Sequence, residues 1–216
     1  MVDTSSPHDT IQAQLIQYAA EITAACAAQK PTEEDVATSR KVFMFDHNKE
    51  PVMVHLVTIN GLTPEDFKGF TDNFLANMKS MPPPEKGKPA WNALETIAGR
   101  QIAHHRMDPD VFMVSARSMI VTYYNIPSAD GHTFIVSSRG NADLEKKYAT
   151  NIGKDVIGSL EINYMNFKAT ANGTEVVHIV VSKPNGSIPD MVVKKMTAQQ
   201  AKGMLKMAEF LAKNKK

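Results

Sequence analysis

The sequence holds a single cysteine, Cys26, in 216 residues. That excludes an intramolecular disulfide and leaves a reducing cytosol as the expected compartment. Long apolar runs are missing too. No stretch approaches the ~18 apolar residues of a membrane span, and no basic-then-apolar leader opens the chain. The protein is therefore expected to be soluble and unsecreted. Asn172-Gly-Thr and Asn185-Gly-Ser then read as turns, not glycosylation sites. Signature motifs of catalysis are absent as well: there is no Gly-x-Ser-x-Gly elbow, no Gly-rich phosphate loop and no Cys-x-x-Cys. Their absence removes the commonest hydrolase, nucleotide and redox chemistries without excluding catalysis. Internal repeats, low-complexity tracts and domain breaks are also lacking.

What is present suits one well-filled domain, since 43% of the residues are hydrophobic. The net charge of +1 hides an asymmetry. From Lys183 to Lys216 there are eight lysines against Asp190 and Glu209, leaving +6; the rest has sixteen basic and twenty-one acidic residues, leaving −5. A basic terminal segment with an apolar stripe suits an anionic lipid surface, and the competing account is a solvated lysine face. Nucleic acid is not expected, because arginines and stacking aromatics do not accompany the lysines.

The C-terminal stretch organises the chain. Thr174 to Ser182 is rich in β-branched residues and reads as a strand. Lys183-Pro-Asn-Gly186 supplies turn chemistry. A helix is expected over 187–213, capped by Ser187 with Pro189 in its first turn. Val193, Met196, Gln200, Gly203, Met204, Met207 and Leu211 fall on one stripe of that helix. The stripe is soft and imperfectly apolar: Met adapts to irregular neighbours, and Gly203 leaves room for something to approach. A docking helix with a mediocre core face is the alternative.

Upstream, Ser6-Pro7 opens an amphipathic helix expected over 7–29, with Cys26 on its core face. Lys41–Phe45 and Pro51–Ile59 form a hairpin. Thr63, Pro64 and Asp66 start a helix that runs past Met78. The segment from Pro82 to Pro89 is a surface connection. Strand-like segments follow at Thr96–Met107, Asp110–Tyr124, Gly131–Ser138 and Val156–Ala169. Ile126 to Gly131 is an ordered turn or lid, Asn141 to Asp155 a charged loop or short helix, and Asn172-Gly173 a hairpin turn. The class is α+β, with a long terminal helix covering the concave face of a curved antiparallel sheet. A curled sheet closed by a helix can enclose a cavity.

Four landmarks in this order resemble the START (steroidogenic acute regulatory protein-related lipid transfer) domain family: Leu62-Thr-Pro-Glu-Asp-Phe67, Trp91-Asn92, Val114-Ser-Ala-Arg117 and, most specifically, Asn185-Gly-Ser-Ile-Pro189. Ala116 and Ser118 depart from the family's usual Pro and Asp. The resemblance implies a single domain over 1–216 with a helix-grip fold. Its tunnel would hold one lipid of the sterol or phospholipid class, and the terminal helix and the Ile126–Gly131 loop would be its lid. It implies lipid transfer between membranes by a monomer that touches them transiently, with no covalent chemistry and no cofactor.

The expected ligand-binding residues are Trp91, Arg117, Tyr123, Arg139, Glu161, Tyr164 and His178, with Val193, Met196, Gly203, Met204 and Met207 on the helix. Arg117, Arg139 and Glu161 are charges in strand-like segments, so each faces either a cavity, where it needs a partner, or solvent, where a salt bridge suffices. The three tyrosines Tyr123, Tyr124 and Tyr164 bring hydroxyls suited to a polar lipid end or simply to a core edge. His55 and His178 sit singly in apolar strands, each as a core or surface histidine, His178 alternatively at a headgroup. His104 and His105 are adjacent on a strand and point to opposite faces, which argues against a shared metal. Two other functions stay open: an enzyme on a related grip fold using His178 or Glu161 as base, and a scaffold that docks on membranes through its basic helix.

Overall fold

The computed structural model describes residues 7–81, 90–108, 114–186, 188 and 190–215, with side chains described at all of these except 90 and 190–201. The chain runs α1 (Pro7–Cys26), β1 (Glu33–Asp35), β2 (Arg40–His47), β3 (Glu50–Asn60), α2 (Pro64–Asp72) and α3 (Phe74–Ser80). Then come β4 (Ala90–Ile97), β5 (Arg100–Met107), β6 (Arg117–Ser128), β7 (Gly131–Ser137), α4 (Ala142–Lys147) and α5 (Ala149–Ile152). β8 (Val156–Ile157), β9 (Ser159–Thr170), β10 (Gly173–Lys183) and α6 (Asp190–Asn214) complete it. The strands form one sheet in the order β1-β2-β3-β10-β9-β7-β6-β5-β4, antiparallel throughout that path, with β8 alongside β6 in parallel. This is the expected α+β helix grip.

Strand alternation gives the sheet two apolar faces. The inner face presents Met53, Val57, Val121, Phe134, Phe167 and Val180 to α2, α3 and the second half of α6, where Phe67, Phe74, Met204 and Met207 are buried. The outer face presents Phe43, Val54, Ile135 and Ile179 to α1, whose Leu15, Ile22 and Cys26 meet them. A smaller outer cluster of Ile102, Ile120 and Ile152 seats α5. Cys26 is a core residue, as its helical position predicts, and burial raises its thiol pKa.

Local chemistry explains most boundaries. Thr63 and Asp66 form a reciprocal capping box, the Thr63 N–H donating to Asp66 Oδ2 at 2.7 Å and the Asp66 N–H to Thr63 Oγ1 at 3.3 Å. Gly173 lets β10 approach β3: a Cβ there would lie 2.1 Å from the Ile59 carbonyl oxygen. Four expectations need correction. The helix from Thr63 is broken at Asn73, so Phe74 begins α3. The Thr96–Met107 segment is two strands, turned at Ala98 and Gly99, which take φ of 48° and 76°. α1 stops at Cys26, its end tightened by Ala27 and Ala28 N–H bonds to carbonyls three residues back. Finally, the Ile126–Gly131 lid is a hairpin: Ile126, Pro127 and Ser128 pair with Thr133, His132 and Gly131, leaving a two-residue turn. Ser6, Ser187 and Pro189 lie outside the described residues.

Candidate functional site

The terminal helix is held at both ends. Arg117, buried at the start of β6, donates through Nε to the Pro184 carbonyl and through Nη2 to the Asn185 carbonyl, each at 3.1 Å, and through Nη1 to the Ser115 carbonyl. Its guanidinium is thus committed to the turn between β10 and α6. Arg117, expected from the sequence at a ligand, thus places its fork on three backbone carbonyls, a structural use of its donors. At the other end Lys215 donates to Asp66 Oδ2 at 2.8 Å and to the Gly61 carbonyl at 2.9 Å. Between them Met204 and Met207 are buried against the inner face. Gly203 is exposed, and an added Cβ would meet nothing within 4 Å, so it is not a point of close approach. The side chains of Val193 and Met196 lie outside the described residues.

Three further expected residues belong to the outer face. Arg139 pairs with Glu161 at 3.0 Å and lies 4.5 Å over the Tyr18 ring of α1. Burial alone would raise the Glu161 pKa, but hydrogen bonds from Ser159 and Arg139 and the charge of Lys183 hold it below the usual carboxylate range. A paired carboxylate with a lowered pKa is a poor general base, and Glu161 is not on the inner face. Tyr164 packs with the α1 cluster. Sequence alternation alone misleads here, because a register shift at Val181 and Ser182 offsets β9 where Glu161 lies.

The inner face nevertheless carries polar groups in an apolar setting. His55 on β3 and His178 on β10 are direct cross-strand partners, 0% and 2% exposed, with ring centroids 6.4 Å apart. His178 Nε2 meets Asn163 Oδ1 of β9 at 3.1 Å. Both ring nitrogens of His55, and Nδ1 of His178, find no hydrogen-bond partner among the described residues. On the facing wall His105 stacks on Trp91 at 3.5 Å, and Tyr123 lies beside both Trp91 and Phe74. The His105 nitrogens, Trp91 Nε1 and Tyr123 Oη likewise have no partner among the described residues. Burial pushes His55 down to about 4, with Arg40 adding to the effect, and pushes His178 and His105 down to about 3; it raises the Tyr123 hydroxyl. All these groups are neutral at pH 7. Their strands recommended His178, Trp91 and Tyr123 from sequence; His55 and Asn163 join them only through register.

His104 points the other way, as strand alternation requires. Its Nε2 is 2.9 Å from Ser118 Oγ, which donates to Asp155 Oδ2 at 2.8 Å, itself bound by Arg106. The serine sits between histidine and carboxylate, so its proton is committed to Asp155. That order is not a nucleophilic triad, in which the histidine stands in the middle. No three or more His, Cys, Asp or Glu among the described residues are placed to share a metal.

Two recesses border these elements. One of about 280 Å³ lies between the end of β3 and α6, its apolar wall formed by Ile59, Leu62, Leu205, Ala208 and Ala212 and its edge by Asn60 and Glu209. A second of about 330 Å³ is polar and includes Arg100, which is bound to Asp9 and Gln12; it does not reach the inner-face histidines. The first adjoins the inner cluster and is the one relevant to an apolar guest. No helix among the described residues is long and apolar enough to cross a membrane.

No protein-family model matches the sequence, and no curated protein matches it by sequence. Solved structures do match the fold. Human STARD10 superposes with a TM-score of 0.66 at 15% identity, over 92% of this chain and 80% of that one. Human StAR-related lipid transfer protein 5 gives 0.63 at 12% identity, over 94% and 97%. The human StarD13 lipid transfer and protein localization domain gives 0.59 at 12% identity, over 90% and 95%. The chain therefore has a START-like helix-grip fold.

Proposed function

We propose that this chain, as one domain over residues 1–216 and as a monomer, shelters a single lipid between the inner sheet face and α6 and carries it between membranes without covalent chemistry. The observation that carries this reading is the set of neutral polar side chains, buried and without partners among the described residues, on one face of an otherwise apolar grip. Buried donors and acceptors left unmade cost about 1–3 kcal/mol each, so a polar end of a guest that engages them recovers that cost while its hydrocarbon gains from burial. Trp91, Tyr123, His178, Met204 and Met207 are the ligand-contacting residues in this reading, and the apolar recess beside Leu205 is the mouth. The names of two structural neighbours, a lipid transfer protein and a lipid transfer domain, agree with it.

Native mass spectrometry of the protein purified from cells tests the reading. The expected spectrum shows one added lipid mass per chain, lost on denaturation. An apo mass that stays unchanged after incubation with mixed-lipid vesicles overturns it.

A further inference from the structure

Among the inner-face polar groups, His55, His178 and Asn163 form a cluster whose hydrogen-bonding capacity is definite. Asn163 Oδ1 can only accept, so His178 Nε2 carries the proton of their 3.1 Å bond and Nδ1 is left as an acceptor. His55, neutral and free of partners at both nitrogens among the described residues, offers one donor and one acceptor. The two rings thus present one N–H and two lone pairs at a single cross-strand position, walled by Val42, Met53, Met165 and Val180. The charged groups acting on it are Arg40 and Glu33, which are bound to each other at 2.8 Å. Arg40 is the cation acting on the cluster; its charge is balanced by Glu33, although its Nε has no hydrogen-bond partner among the described residues.

We infer that this cluster is the seat for a hydroxyl, and that the guest is a neutral lipid alcohol, not a phospholipid or a fatty acid anion. A hydroxyl both donates and accepts, matching a site with an N–H and bare ring nitrogens. An ester can only accept, which leaves the ring acceptors unmade. A carboxylate or phosphate brings a charge into an apolar wall whose one acting cation is already paired with Glu33, which is costlier than burying a hydroxyl. The inference rests on the lipid-binding reading above and assigns its ligand class.

The test uses five probes with matched C18 chains, delivered from cyclodextrin to the full chain: octadecene, oleyl alcohol, methyl oleate, oleate and an oleoyl lysophosphatidylcholine. Binding is read by native mass spectrometry titration at pH 7. Oleyl alcohol is expected to bind roughly tenfold more tightly than octadecene, the yield of one or two neutral hydrogen bonds, and more tightly than the other three. In the His55→Leu/His178→Leu double variant the ratio of alcohol to octadecene affinity should shrink to within about twofold. The inference is overturned if oleate or the lysophospholipid ranks first, or if the alcohol preference survives the double substitution. If even octadecene fails to bind, the lipid-binding reading itself falls and takes this one with it. The wild-type ranking decides the matter even if the double variant does not fold.

Discussion

At the scale of single residues, the interior histidines are the most consequential choice this chain makes. His55, His105, His132 and His178 are all 5% exposed or less, and burial is the main cause that lowers each from the ordinary 6.5, to about 4 for His55 and His132 and about 3 for His105 and His178. The facing charges differ: Arg40 and Glu33 act on His55, Lys68 and Asp72 on His132, His104 on His105, and His55 on His178. In each case the unfolded chain binds the proton and the folded one does not, so stability is intact above pH 6.5 and falls as the pH drops toward 4. Each histidine contributes up to about 1.4 kcal/mol per pH unit within that window. Urea midpoints measured between pH 7.5 and 4.5 should therefore fall steadily below pH 6.5. The His55→Leu/His178→Leu variant should give a shallower decline, and an equal slope would show that these rings are solvated.

At the scale of elements, the sequence was most legible where one residue type performs one physical task. Thr63, Pro64 and Asp66 announce a helix start because capping has a short list of suitable residues, and Asn172-Gly173 marks a hairpin, where Gly173 allows the close approach to Ile59 and neither residue takes positive φ. Legibility failed where the task was done by unexpected residues. Ala98 adopts positive φ in the β4–β5 turn, where Asn or Asp is the usual sign, so two strands read as one. It failed again for Arg139, Glu161 and Tyr164, because a strand pattern says which residues alternate but not which face meets α1. Arg117 is instructive in a different way: its position was legible, its role was not. It serves the carbonyls of Ser115, Pro184 and Asn185, and so ties the turn after β10 to the start of β6. Arg117→Met should strand those acceptors and cost roughly 3 kcal/mol in chemical denaturation. Arg117→Lys should recover little, since one ammonium lacks the planar fork that spans diverging carbonyls. Full rescue by lysine would mean that charge alone holds the turn.

At the scale of the whole molecule, α6 divides its side chains between two tasks. Met204 and Met207 are buried in the grip, whereas Lys202, Lys206 and Lys213 are exposed and, at 100° per residue, share the face directly opposite. Lys215 stands apart, latched to Asp66 and Gly61. The helix is thus apolar toward the inner sheet face and cationic toward solvent. Lys202→Glu/Lys206→Glu/Lys213→Glu should consequently separate the two tasks. Because these side chains touch neither the core nor the histidine cluster, lipid occupancy by native mass spectrometry should match wild type. Transfer out of vesicles containing anionic lipid should fall by tenfold or more, given about 1 kcal/mol for each lysine near a charged surface. The wild-type rate should itself decline with added salt as the Debye length shortens, and the variant should show little of that dependence. If transfer is the same for variant and wild type on anionic vesicles, the lysines are only a solvated face.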